Sequence, residues 1–317
     1  MHLALKTQEI ATNGISLHLT EMGDGPTILF CHGFPDTSYT WRRQMQAVAA
    51  AGYRAIAPDM RGYGHSSAPE DAKVYTPLHT TGDLVGLLDA LQIDKAVLVG
   101  HDWGASHAWN AALMRPDRFS AVFCLSVPYI PRGDKSIFDQ LRAAGQQDNF
   151  YMFDQIKPES DERWADAATT IPAALYWASG SAPAESSWHP MDPKRGLSRP
   201  APEPLPAWAD VDYVAHTISE FHRTGFHGAL NYYRAAEPYF HLSAAFKGAK
   251  VTQPSLYISG RSDNLRTLYP PVEKLRAGLP GLVGSVELDG IGHWIHHEAT
   301  DQVNAQLLQF LQHVVPV

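Results

Sequence analysis

Val97-Leu98-Val99-Gly100-His101-Asp102-Trp103-Gly104-Ala105 is the stretch that decides how this chain reads. Residues 96–99 form a short, unbroken apolar run, the mark of a strand buried on both faces. A helical pattern follows over about 105–115 and stops at Pro116. Between them, Gly100 and Gly104 allow the sharp strand-to-helix turn of a nucleophile elbow, with Asp102 where an esterase carries serine. The plain alternative is an Asp that merely caps the helix. A Gly-x-Ser-x-Gly elbow occurs nowhere in the sequence, which disfavours a serine esterase.

Outward from the elbow, strands alternate with helices. Residues 15–20 alternate apolar and polar, and a turn signal follows at 23–26. Apolar runs at 27–31, 53–57 and 121–125 predict strands, and helices are expected near 41–51 and 80–91. Such alternation implies right-handed crossovers and a parallel sheet. After Pro128 the pattern stops. Residues 131–250 are rich in aromatics, proline and helical fragments, and 183–206 is proline-dense. It then resumes, with strands at 255–258 and 286–288 and helices at 272–277 and 299–314. The expected organisation is an α/β core in two parts, 1–130 and 251–317, with a mainly helical lid inserted at 131–250. Two consecutive domains are disfavoured because the tail offers too few strands for its own sheet.

Three further positions complete a constellation. His32-Gly33-Phe34-Pro35 follows the strand at 27–31, and the N–H groups of Phe34 and Trp103 would face one pocket as an oxyanion hole. Asp263 follows the strand at 255–258 and a turn, and Gly292-His293 follows the last strand. Asp102, Asp263, His293 is the order nucleophile, acid, histidine of the α/β-hydrolases. His296 and His297 read as surface or helix-start residues, and no His/Glu or Cys spacing points to a metal.

The 317 residues include 25 Lys plus Arg and 33 Asp plus Glu, a net charge of −8 that argues against a general nucleic-acid-binding field. Apolar residues at 44% and charged residues at 18% are those of an ordinary globular protein. No run approaches the roughly 20 apolar residues of a membrane span, and residues 1–9 show no signal-peptide pattern. Cys31 and Cys124 sit in strand-like runs and read as buried free thiols, so a reducing, cytoplasmic setting is expected. A homo-oligomer is compatible with this composition.

Taken together, His32-Gly33-Phe34-Pro35, the run Asp59-Met60-Arg61-Gly62-Tyr63-Gly64-His65-Ser66, the elbow, Asp263 and Gly292-His293 resemble the epoxide hydrolases of the α/β-hydrolase fold. The resemblance spans nearly the whole chain. It implies two lid tyrosines that donate to the epoxide oxygen. Phe150-Tyr151-Met152-Phe153-Asp154-Gln155 looks like the first segment, although Met152 stands where glutamine is expected. Asn231-Tyr232-Tyr233-Arg234 looks like the second, with Tyr232 in a tryptophan's place. The implied catalytic set is Asp102, His293, Asp263, Tyr151 and Tyr233, with Phe34 and Trp103 as oxyanion donors. The implied substrate is a small apolar epoxide, opened by water to a diol with no cofactor or metal. Rival readings are a dehalogenase using the same Asp, or a noncatalytic ligand receptor. Phe34 in place of a halide-binding Asn, and Trp103 in place of a carboxylate-holding Arg, favour the epoxide. Trp164, Tyr176, Trp177, Trp188, Phe221 and Phe226 suggest an apolar pocket or a lid core.

Overall fold

A computed structural model describes residues 5–317. The reading of residues 1–9 as free of a leader therefore falls partly outside the described residues. Eight strands form one sheet: β1 (Lys6–Thr12), β2 (Ile15–Met22), β3 (Thr27–Cys31), β4 (Arg54–Pro58), β5 (Ala96–His101), β6 (Phe119–Leu125), β7 (Ser255–Gly260) and β8 (Leu282–Leu288). Their order is β1-β2-β4-β3-β5-β6-β7-β8. The β1–β2 hairpin turns at Asn13-Gly14, both at positive φ. The pairings β1–β2 and β2–β4 are antiparallel and every other pairing is parallel.

The alternation of side chains along buried strands sorts the core into two layers. Ile28, Phe30, Val97, Val99, Phe123 and Leu125 face one side. They pack there against the helices Arg42–Ala50 and Thr300–Val314 through Met45, Val48, Leu307 and Phe310. Leu29, Cys31, Leu98, Val122 and Cys124 face the other side, against the helices Pro77–Ala90 and Trp103–Met114. Cys31 and Cys124 are buried and free, as the composition suggested.

Between β6 and β7 the chain adds no strand among the described residues. It runs through helices Ile137–Ala143, Tyr151–Gln155, Ser160–Trp164, Ala167–Trp177, Val211–Thr224 and His227–Leu242, with residues 183–206 holding only the short turn Pro193–Arg195. The run 59–66 organises the loop beneath this segment. Asp59 accepts from the N–H groups of Ser38 and His65, each at 3.0 Å. Arg61 forks onto buried Asp83 at 2.6 and 2.8 Å. Tyr232 donates to the Arg61 carbonyl at 3.0 Å, so the helix bearing it is tied to the sheet side.

Burial holds five histidines neutral. His32 is pushed down to about 4, and His107 and His297 to about 3. His101 and His296 lie well below their ordinary value. Such groups contribute stability above the unfolded histidine pKa near 6.5 and lose it as pH falls below that value. Asp36 and Glu298, raised by burial to about 7, act in the opposite sense, since they take up protons on folding. Asp102 and His293, also raised, add to that sense, and only below about pH 6.5, where the unfolded histidines are mostly charged, does the unfolded chain bind more protons. The melting temperature is expected to fall from about pH 6.5 to about pH 5 in a buffer-matched thermal series.

Candidate active site

Phe34, Asp102, Trp103, Asp263 and His293 follow the carboxyl ends of strands, where ligands bind in open parallel sheets, whereas Tyr151 and Tyr233 stand on helices between β6 and β7. Asp102 follows β5 directly and adopts φ 54°, ψ −124°, a strained conformation for a non-glycine residue. The elbow is wedged from both sides. A Cβ at Gly104 would stand 2.0 Å from the Cys31 carbonyl oxygen, and one at Gly100 would stand 2.6 Å from that of Gly104. Asp102 makes no side-chain cap to its helix, which removes the capping alternative. Its Oδ1 instead accepts from Phe34 N–H at 2.8 Å, and the nearby Trp103 N–H also favours its charged form. Burial pushes the Asp102 carboxyl up, while His293 and the two N–H groups pull it back; the balance stays above its ordinary value.

His293 stands opposite. Its Nε2 lies 3.6 Å from Asp102 Oδ2 and its Nδ1 3.0 Å from Asp263 Oδ2. Burial disfavours the charged ring, but Asp263 and Asp102 outweigh it, and the pKa is raised. The ring therefore carries its proton on Nδ1, toward Asp263, and leaves Nε2 facing Asp102. Asp263 is fixed in turn by the N–H of Leu265, at 2.9 Å from Oδ1.

Ser126 is a participant that the motif reading missed. It follows β6, is fully buried at φ 67°, donates to Asp263 Oδ2 at 2.6 Å and lies 2.8 Å from His293 Nδ1. Its one sequence signal is position. It is the first residue after a core strand, as Asp102 is after β5.

Tyr151 and Tyr233 converge with Asp102 and His293 on one cavity of about 20 Å³, room for about one water molecule. Their rings meet edge to face at 6.0 Å. Tyr233 also sets its ring edge to face with those of Phe34 (5.3 Å) and Trp103 (5.0 Å). Tyr151 opens its helix, donates its N–H to the Pro190 carbonyl at 2.9 Å and packs on Trp188 at 5.2 Å. Burial, then the charge of Asp102 among other neighbours, raises both phenols, so both stay protonated at neutral pH. Tyr151 is also a wall of two larger cavities of about 560 and 460 Å³.

One reading needs correction. His296 and His297 are not at the surface; they are 1% and 3% exposed. Each Nε2 lies 2.7 Å from the Thr40 hydroxyl, beside Asp36, because the four-residue helix Ile295–Glu298 turns inward under the loop after β3. Among the aromatics offered as pocket walls, Trp188 lines the small cavity. Phe221 and Phe226 stack on one another at 4.4 Å, and Trp164 packs on Phe34 and Phe226 as core.

Residues 26–300 match the family model described as the alpha/beta hydrolase fold. The chain is 69% identical to an epoxide hydrolase of Caballeronia sordidicola over 98% of this chain and 94% of that protein. It is 40% identical to epoxide hydrolase 3 of Siraitia grosvenorii, covering 95% and 96%. The crystal structure of epoxide hydrolase A from Mycobacterium thermoresistibile superposes with a TM-score of 0.90 at 38% identity, covering 98% of each chain. The chain belongs to the epoxide hydrolases of the α/β-hydrolase fold. Within that family the Ser126 contact yields a clear expectation. Ser126→Ala removes a hydrogen bond to a charged group and should lower epoxide turnover roughly tenfold. Ser126→Gly should show the same kinetic loss but melt higher than the Ala variant, since glycine accepts the positive φ. Steady-state kinetics and thermal melts of the pair check both parts.

Proposed function

We propose that this chain opens small apolar epoxides to vicinal diols through a covalent ester on Asp102. The supporting observation is the placement of that carboxylate, bonded by the Phe34 N–H with that of Trp103 beside it, and lining one small cavity with the His293 ring and two protonated phenols.

In the first step, an Asp102 oxygen attacks an epoxide carbon and the ring C–O bond breaks. The alkoxide that forms needs a proton donor, and Tyr151 and Tyr233 are the phenols that supply it. A carboxylate is a weak nucleophile, so its fixed position and exclusion of water carry much of the rate. In the second step, His293 Nε2 takes a proton from water, and the Asp263 carboxylate stabilises the imidazolium. The hydroxide adds to the ester carbonyl, and the N–H groups of Phe34 and Trp103 hold the oxyanion. The ester C–O bond to the Asp102 carbonyl then breaks, the departing oxygen takes the imidazolium's proton and the diol leaves; the proton shed by the regenerated Asp102 acid restores the phenol. The chain's own residues and water perform every step.

In this reading residues 131–250 form a lid over a core made of 1–130 and 251–317. The lid supplies both phenols, on Tyr151 and Tyr233, and Trp188 as an apolar wall. All site residues come from one chain, so no second copy is required. Among the described residues no helix is long and apolar enough to cross a membrane. The two buried free thiols support a cytoplasmic setting.

The test is a single turnover in heavy-oxygen water. Label should enter the Asp102 carboxylate, while the first diol keeps the original carboxylate oxygen. Label in the first-turnover diol would rule out the ester route. A companion measurement addresses the phenols. Tyr233→Phe should slow ester formation by about 10²-fold in rapid-quench experiments, by analogy with the loss of one oxyanion donor, and leave ester hydrolysis nearly unchanged.

A further inference from the structure

His293 is placed as much through its backbone as through its ring. Its N–H donates to the Ala178 carbonyl at 2.8 Å, and its carbonyl lies 2.8 Å from His101 Nε2. The residues on either side of it meet one carboxylate. Glu298 Oε2 accepts from Gly292 N–H at 3.0 Å, and Oε1 accepts from Trp294 N–H at 3.0 Å. The same Oε2 accepts from Gly180 N–H at 2.8 Å, just after the helix Ala167–Trp177. A single buried carboxylate thus holds both flanks of the candidate base and one point on the helical segment above it.

The backbones at this junction are in direct contact. A Cβ on Gly292 would stand 2.4 Å from Gly180 N, and one on Gly180 would stand 1.9 Å from the Gly290 carbonyl oxygen. The Trp294 indole N–H adds a bond to the Ala174 carbonyl at 3.2 Å. Glu298 itself does not line the cavity that holds Asp102, Tyr151 and Tyr233. It can act on the chemistry only through the residues it fixes.

We infer that Glu298 is the positioning residue for His293, and that it makes seating of the helical segment and placement of the base a single event. This rests on the two-step reading above. The first step uses Asp102, held at the Phe34 and Trp103 N–H groups, and meets Glu298 only indirectly, through the segment that carries Tyr151 and Tyr233 and through the charge of His293. The second step needs Nε2 aimed at one water beside the ester. A displacement of about 1 Å in such a group costs on the order of 10²-fold. A defect at Glu298 therefore falls far more heavily on ester hydrolysis, whose base it flanks directly, than on ester formation.

Glu298→Gln and Glu298→Ala, followed by rapid quench and mass spectrometry of the Asp102 adduct alongside diol release, separate the steps. Gln keeps one oxygen for Gly180 and Gly292 but turns its amide N–H toward the Trp294 N–H. Hydrolysis should then slow roughly tenfold for Gln and roughly 10²-fold for Ala, with ester formation within about threefold of the parent, so that ester accumulates. Gly180→Ala, which leaves Glu298 intact and forces the two backbones apart, should produce the same hydrolysis-selective defect and keeps the question answerable if the Glu298→Ala variant folds poorly. Equal losses in both steps that track the melting temperature would reduce Glu298 to a stabilising residue and overturn the inference, as would unchanged hydrolysis. His293→Gln is the control. If it accumulates ester and the Glu298 variants do not, this inference alone fails. If it accumulates none, the two-step reading fails first.

Discussion

The arrangement depends on keeping an ionised carboxylate at the end of a buried strand. Asp102 is 9% exposed, and burial alone would neutralise it. The His293 ring opposite it and backbone N–H groups from two different elements, one after β3 and one at the start of the helix that follows β5, provide the compensation. The N–H pair can converge only because β3 and β5 are parallel neighbours, with Cys31 in register with Gly100. The elbow strain at Asp102 and the wedging of Gly104 against the Cys31 carbonyl follow from bringing these two strand ends so close. A nucleophile held by the same N–H groups that would stabilise its own oxyanion needs no rearrangement between the two steps.

His293 has the complementary difficulty. It lies between two buried carboxylates, which raise its pKa above that of a free histidine. Asp263 takes the Nδ1 side at 3.0 Å, whereas Asp102 stands back at 3.6 Å from Nε2. This asymmetry fixes the tautomer and keeps the ring from forming a tight ion pair with the candidate nucleophile. Ser126 reinforces it, since its hydroxyl donates to the same Asp263 oxygen that faces the imidazole. Once Asp102 becomes a neutral ester, one of the two charges that hold the imidazolium is gone, and the ring is better suited to accept a proton from water and pass it on. Alkylation itself thus adjusts the base for the following step.

The core strands were legible because strands buried on both faces are written as unbroken apolar runs, and 27–31 coincides with β3. The elbow was legible because close backbone packing there admits only glycine at 100 and 104. Tyr233 was found through its neighbours, and the fold explains its orientation. Adjacent helix residues point about 100° apart, so Tyr232 reaches the Arg61 carbonyl while Tyr233 turns into the cavity. Ser126 and Glu298 carry no such signature. A lone serine and a lone glutamate gain meaning only from what the tertiary fold brings to them, from Asp263 in one case and Gly180 in the other. His296 and His297 were misread for a related reason. Polar residues at a helix start are usually wet, but this short helix is pressed beneath the loop carrying Asp36 and Thr40, and the tertiary contact overrides the local expectation.

The size of the cavity bears on how water is managed. At about 20 Å³ it accommodates roughly one water and no epoxide beside it, so the described state is closed around the reacting groups. Tyr151 borders this space and the two larger cavities, and Trp188 and Leu197 also border the smaller of those two. Tyr151 is held at its main chain, by its N–H on the Pro190 carbonyl, and at its ring by Trp188, both from the proline-dense stretch 183–206. The carboxylate, the Phe34 and Trp103 N–H groups and the imidazole follow strand ends, whereas both candidate phenols come from the helical segment, so the wall that a substrate meets is also the wall that carries the phenols.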